Sequence, residues 1–346
     1  MNQRSRGFTE NRPAARGREP ARTLRSPHRS VANDAEAYAS SVAGVDIDAI
    51  RVGPADRATD VVAASSERLT FNAGSVGFPM LSRTTVPDDQ VMVAHVSATP
   101  PGCRWCEIDL APGMVLAYSP AAEHTSRSLP GLEFSVVVTM EGHLAEAADM
   151  LGTHYETPPR GEVHQLSGTS LTRPVQSSFT GFAAQIAAGR APSEPDCDQL
   201  LRATVHALAE ADRTQRIGST RRIDSRHVVR TCIDYAHSLD RIPSIKELCV
   251  VAHVSERRLR TAFTAEFDVP PARYFRLWAL DRAHRRFTHD PASNRKVTEI
   301  AVDLGLGHLS RFALDYKRVY GETPSATLKR HRESTTGPAS SWRHST

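Results

Sequence analysis

The chain has 346 residues, 40% of them hydrophobic and 24% charged, with a formal net charge of +4. Its length suggests two folded domains plus tails. No stretch approaches a membrane span, and the Arg-rich start lacks an apolar signal core. With five cysteines, an odd number, this points to reduced thiols and a cytoplasmic protein.

The charge is uneven along the chain. Residues 1–30 hold eight Arg against two Glu, and residues 241–346 hold nineteen Lys and Arg against eleven Asp and Glu. Residues 31–240 reverse the sign, with sixteen basic and twenty-six acidic groups. An acidic body with a basic end fits a protein in which one domain touches phosphates.

Residues 1–34 are polar, Arg- and Pro-rich and without periodicity, so a disordered basic tail is expected there. From about residue 60 to 140 the hydrophobic period becomes two. Candidate strands are Leu69–Ala73, Val91–Ser97, Trp105–Leu110, Met114–Tyr118 and Phe134–Thr139, with turns at Ala111-Pro112-Gly113 and Pro130-Gly131. Short strands joined this way predict a small antiparallel barrel or sandwich. Trp105, Met114, Leu116, Tyr118, His124 and Phe134 are candidates to line a ligand cavity in it, although ordinary core is the main reading of such residues at strand spacing.

Two features of this region could carry other chemistry. Cys103-Arg104-Trp105-Cys106 is a C-x-x-C, but no second ligand pair lies near it and the following residues alternate like a strand. Buried or incidental thiols are the main reading, a metal or redox sensor the other. Glu123-His124 lacks the His-x-His pair of a metal-dependent barrel enzyme, and His95 and His143 lack its spacing. No metal or cofactor is expected.

Helical patterning returns at Leu144–Leu151, Phe179–Ala188 and Cys197–Ala211. In the last, Leu200, Leu201, Val205 and Leu208 share one side, either a dimer surface or a face packed on its own barrel. Residues 35–212 are thus the expected sensor and dimerisation domain. Residues 213–222 are polar and read as a linker.

Residues 223–333 read as an all-α domain in which one helix-turn-helix pattern is written twice. Asp224-Ser225 caps a first helix running to Ser238. Ile245, Leu248, Cys249 and Ala252 then fall at i, i+3, i+4 and i+7, a turn follows at His253-Val254, and Ser255 caps a second helix. Leu259, Ala262, Phe263 and Phe267 line that helix's apolar side. In the second copy Val297, Ile300, Ala301 and Leu304 repeat the spacing and Gly305-Leu306-Gly307 makes the turn. Phe312, Tyr316 and Tyr320 stand where Leu259, Phe263 and Phe267 stood. A connector from Pro271 to about Phe287 spans roughly 25 Å at 1.5 Å per residue. Residues 334–346 read as a loose tail.

Opposite the apolar side of the first reader lie Arg257, Thr261 and Thr264, with Arg258 and Arg260 at the flanks. Arg matches guanine O6 and N7 in bidentate fashion, and Thr can meet a thymine methyl or a phosphate. The second helix presents Ser310, Leu314 and Lys317, flanked by Arg311, a poorer set for reading bases and one expected to position more than specify.

Residues 225–332 resemble the DNA-binding domain of AraC/XylS-type transcriptional regulators. Glu299-Ile300-Ala301-Val302-Asp303-Leu304-Gly305, then Phe312, Tyr316, Lys317, Tyr320, Gly321, Pro324 and Ser325, carry the likeness. Gly307-His308-Leu309-Ser310-Arg311-Phe312 and the segments at 105–113 and 120–124 are similar to a subgroup with an AraC-binding-like, cupin-related sensor. Asp268, Leu306 and Ala279 depart from the family's usual Gly, Phe and Arg. The resemblance implies an α+β two-domain protein: an N-terminal cupin-like antiparallel β-barrel with helices, and a C-terminal all-α domain with two helix-turn-helix motifs. It further implies a homodimeric activator that binds double-stranded DNA, answers to a small-molecule effector and engages RNA polymerase. A metal- or thiol-dependent repair-type enzyme fused to a DNA-binding domain is the alternative.

Overall fold

The computed structural model describes residues 27–105, 108–155, 157–167, 169–210, 212–217, 220–239, 241–290 and 295–335. The first part runs β1 (His28–Ala32), α1 (Ala35–Ser41), β2 (Asp46–Arg51), β3 (Thr59–Ser65), β4 (Leu69–Ser75), β5 (Met80–Thr85), β6 (Gln90–Ala98), β7 (Arg104–Trp105) and β8 (Ile108–Asp109). It continues with β9 (Val115–Tyr118), β10 (Glu123–Ser128), β11 (Glu133–Met140), α2 (Glu141–Leu151), β12 (Val163–Ser167), α3 (Thr169–Ala187), α4 (Glu194–Glu210) and β13 (Asp212–Ile217). The helical part holds α5 (Thr220–Leu239), α6 (Ile245–Val251), α7 (Glu256–Phe267), α8 (Pro271–His289), α9 (Val297–Asp303), α10 (Leu309–Tyr320) and α11 (Pro324–Thr335).

The strands make two antiparallel sheets, not one closed sheet. Eight strands follow the order β1-β3-β4-β11-β6-β9-β12-β13 and five follow β2-β5-β10-β7-β8. The large sheet is apolar on both faces because its strands alternate between two cores. Met92 and Ala94 of β6, Leu116 and Tyr118 of β9, and Phe134, Val136 and Val138 of β11 point toward the small sheet. Their neighbours Val91, Val93, Val115, Ala117 and Val137 pack under α2, α3 and α4. The small sheet alternates likewise: Ala49 and Met80 face the large sheet, while Ile50 and Leu81 join the core of the helical domain. Four layers result, from α2–α4 through the two sheets to the helical domain.

Several expectations need correction. Residues 28–32, placed in the basic tail, form β1 against β3, where Arg29 grips Asp60 through two hydrogen bonds of 2.9 and 2.7 Å. A polar edge strand leaves no alternation to read; residues 1–26 lie outside the described set. The expected linker contains β13, paired with β12, and α5 begins at Thr220. The single strand Trp105–Leu110 is two short ones, with Trp105 opposite Ile108. The apolar side of α4 packs on its own domain: Leu200, Leu201, Val205 and Leu208 are all buried in the core beneath the large sheet. That face is therefore not a free dimer surface.

Candidate nucleic-acid interface

The first helix-turn-helix unit is fixed by local chemistry at each end. Ser244 and Glu247 form a reciprocal capping box on α6, the Glu247 carboxylate accepting from the Ser244 N–H at 2.7 Å and the Ser244 hydroxyl accepting from the Glu247 N–H at 3.2 Å. Hydrogen bonds from Arg241 and Ser244 hold the Glu247 carboxyl down at about 2. His253 takes a left-handed conformation (φ 52°) in the turn, and the Ser255 hydroxyl accepts from the Arg258 N–H to start α7. Leu259, Ala262, Phe263 and Phe267 are buried. Arg257, Arg260, Thr261 and Thr264 are exposed and Arg258 is half-buried. Arg260 pairs with Glu256 at 3.0 Å, and the Thr261 hydroxyl donates to the Arg257 carbonyl at 3.0 Å. Arg257, Thr261 and Thr264 thus form one continuous exposed stripe.

The second unit repeats the backbone bonds of the turn. His253 and Val254 donate to Val250 and Cys249 in the first turn; Gly305 and Leu306 donate to Val302 and Ala301 in the second. That is an offset of 52, whereas Leu259 and Phe312 are 53 apart, so the second turn carries one extra residue. Gly305 takes the left-handed position (φ 81°), His308 is the N-cap of α10 without a side-chain capping bond, and Leu306 is buried. Phe312 and Tyr316 are buried, and Tyr320 stacks on His284 with ring centroids 4.0 Å apart. Ser310, Arg311, Leu314 and Lys317 are exposed, Leu314 by 61%.

Residues 248–330 match the helix-turn-helix domain family. Over 95 residues the chain is 37% identical to XylDLEGF operon transcriptional activator 1 of Pseudomonas putida, covering 28% of this chain and 29% of the relative. Another such activator of the same organism is 39% identical over 93 residues, 27% of this chain and 29% of the relative. Residues 248–330 are a helix-turn-helix domain. The chain spans less than a third of the length of these relatives. The crystal structure of the AraC-like transcriptional activator CuxR superposes with a TM-score of 0.39 at 15% identity, covering 75% of this chain and 96% of that one.

The helix-turn-helix domain rests on the small sheet through β10, whose residues alternate between two jobs. Outward, the Thr125 hydroxyl donates to Glu266 at 2.6 Å, Arg127 reaches Asp268 at 2.5 Å, and Glu123 lies 3.8 Å from Arg230. Arg83 to Asp234 at 2.9 Å and His237 to Asp48 at 3.4 Å extend the seam along α5. None of these polar partners was among the expected site residues, although the alternation in Glu-His-Thr-Ser-Arg-Ser of β10 was there to be read. The contact uses the far side and C-terminal end of α7 and leaves Arg257, Thr261 and Thr264 open.

Inward, β10 meets the candidate ligand residues. Trp105, Leu116, Tyr118, His124 and Phe134 are buried between the sheets and Met114 is half-buried against them. Ring centroids lie 4.8 Å apart for Tyr118 and His124, 5.9 Å for Trp105 and His124, and 6.2 Å for Trp105 and Phe134. Burial, with the Arg226 charge nearby, pushes the His124 imidazole down to about 3, so it is neutral. The expected residues are therefore gathered at one place, filled by their own contacts.

Cys103 is buried, its sulfur accepting from the Leu129 N–H at 3.3 Å; Cys106 lies outside the described residues. Among the described residues no three His, Cys, Asp or Glu side chains are grouped to hold a metal, and no helix is long and apolar enough to cross a membrane.

Proposed function

We propose that the protein is a sequence-specific DNA-binding transcriptional activator of the cytoplasm. It acts as a homodimer, recruits RNA polymerase to a promoter and responds to a small metabolite bound between the two N-terminal sheets. The observation that carries this reading is the pair of matched helices α7 and α10, each with a buried aromatic side and an open stripe, inside one helix-turn-helix domain. Two such helices on a rigid connector suit adjacent major grooves. The stripe of α7 offers Arg257, Thr261 and Thr264 as base-reading groups, with Arg258 and Arg260 beside them. The stripe of α10 offers Ser310, Leu314 and Lys317, with Arg311 at its edge.

The ligand residues support the sensor half. His124 and Tyr118 put polar groups among the packed rings between the sheets, where a metabolite would take the place of the side-chain contacts that fill this position. The strand of His124, β10, carries Thr125 and Arg127 on its other face, in contact with the end of α7. Selection of duplexes from a random pool by the full chain tests the DNA half. Enrichment of one motif is expected, and its base preference at one position is expected to relax with Arg257→Ala. A pool that remains random after repeated rounds would defeat the proposal.

A further inference from the structure

Beside the stripe of α10 lies a cleft of about 750 Å³ between α8 and α10, with Val52 of the N-terminal domain at its wall. Arg273 and Arg276 enter it from α8, and Arg311 and Arg318 from α10. One carboxylate, Asp315, faces all this charge. Arg276 binds it at 2.5 Å, Arg318 at 3.5 Å and Arg311 at 3.8 Å. Arg273 is exposed, and the side chains of Arg311 and Arg318 are 70% and 79% exposed. Four guanidinium groups against one carboxylate leave a surplus of three positive charges in a concave, solvent-filled space.

This cleft does not end at α8. A second one, of about 380 Å³, is lined by Glu256 and Arg260 of α7 together with Pro270 and Ala272, which also line the first. The two adjoin at the start of α8 and make one trough from the flank of α7 to the flank of α10. Arg260 stands next to the stripe of Arg257, Thr261 and Thr264, and Arg311 next to Ser310.

We infer that the trough seats the sugar-phosphate backbone of the DNA strand that passes between the two major grooves read by α7 and α10. This rests on the proposed DNA-binding function and adds Arg273, Arg276 and Arg318 to its contact residues. Between two helices in successive major grooves the duplex presents backbone, with a charge about every 1.7 Å of axis. Guanidinium groups bind phosphate oxygens in bidentate fashion, and their planar forks suit a row of phosphates better than isolated ammonium groups. The contacts are sequence-independent and fix the spacing of the two readers.

The test uses the full chain with Arg273→Gln and Arg318→Gln combined, both at exposed positions, after circular dichroism confirms the native helix content. Binding to a 40-base-pair duplex of arbitrary sequence is measured against salt concentration. Each phosphate contact contributes about 0.9 to the log–log slope, so the double variant is expected to lose nearly two units. Arg273→Lys with Arg318→Lys, which keeps the charge, is expected to keep most of the slope. On a duplex selected by the protein, ethylation of the phosphates between the two contacted grooves is expected to block binding by the native chain and to matter less for the Gln variant.

An unchanged slope and ethylation pattern, with Arg257→Ala still relaxing base preference, would overturn the trough and leave the DNA reading standing. Failure of the native chain to bind any duplex would remove both. Stoichiometric binding of inorganic phosphate or ATP without DNA, lost in the Gln variant while the salt slope stays the same, would assign the arginines to a free anion and overturn the proposal.

Discussion

At the residue scale the two stripes predict different behaviour. Arg257 sits in the first turn of α7, exposed and beside Thr261, where a guanidinium can meet a base edge. Arg257→Ala is expected to cost about 1–3 kcal/mol on the selected duplex and little on arbitrary DNA. Lys317, near the end of α10, is expected to act on phosphate: Lys317→Ala weakens all sequences alike and lowers the salt slope by about one contact. Equal effects of the two variants across a panel of duplexes would contradict the assignment. A buried group gives a second prediction. His124 faces Tyr118, Trp105 and the Arg226 charge, and is held at about 3 against an ordinary value of 6.5. As pH falls below 6.5 the unfolded chain takes up the proton first, so this stabilisation is complete above 6.5 and is lost progressively toward pH 3. The loss runs at up to about 1.4 kcal/mol per pH unit. His284, held at about 4, adds a second such group. Urea unfolding of the full chain between pH 7 and 5 is expected to show a shallower pH dependence in His124→Gln than in the native protein; an identical dependence would refute it.

At the element scale, the end of α7 shows a local compromise settled by its neighbour. Asp268 occupies the left-handed C-cap position (φ 59°, ψ 25°), where Gly is the common residue and an L side chain is strained. Asp is among the better residues for this position, and here it also receives Arg127 across the domain seam at 2.5 Å. In residues 220–335 expressed alone, Asp268→Gly is expected to stabilise by up to about 1 kcal/mol through relief of the strain. In the full chain the gain is expected to be smaller, because Arg127 loses its partner, a half-exposed pair worth about 0–1 kcal/mol. Chemical denaturation of both forms checks this; equal gains would mean the seam contributes nothing at this point. The helices of this domain were legible from their apolar spacing and from Ser255 at the start of α7, but not at the start of α5, which begins at Thr220 and not after a cap at Asp224-Ser225. The strands were less so. β2, β3 and β5 are polar or apolar on both faces because each side of the sheet meets a different layer, which erases the alternation a half-exposed strand would show.

At the scale of the whole molecule, α8 has 19 residues and is about 28 Å long, and it holds the two readers as one unit. Its core is continuous: Phe275, Trp278 and Phe287 are buried among Phe263, Ile233, Phe312 and Tyr316. Each monomer is therefore expected to protect two groove segments about 10 base pairs apart, and a dimer two such pairs. Five base pairs inserted between the segments place them on opposite faces of the duplex. Affinity is then expected to fall to that of one reader plus its phosphate contacts. Contact with a single groove per monomer, or unchanged binding after the insertion, would show that the second unit is structural. The helical core also takes in Ile50 and Leu81 from the small sheet. The seam with the N-terminal domain is thus part of the domain's own packing as well as a set of ion pairs.

The sequence by itself determined the double helix-turn-helix, its caps and its exposed stripes, because those depend on residues within one or two turns of each other and on a periodicity that only one side of a helix can satisfy. It also placed Trp105, Leu116, Tyr118 and Phe134 on strands. Only the tertiary structure decided which face of each strand met which layer, that Leu200, Leu201, Val205 and Leu208 pack on their own sheet, and that His28–Ala32 joins it. It alone brought Arg273 and Arg276 of α8 beside Arg311 and Arg318 of α10 around Asp315. Those arginines lie about forty residues apart in the chain, each looks like an ordinary surface charge in its own helix, and their convergence follows from the packing of α10 against α8.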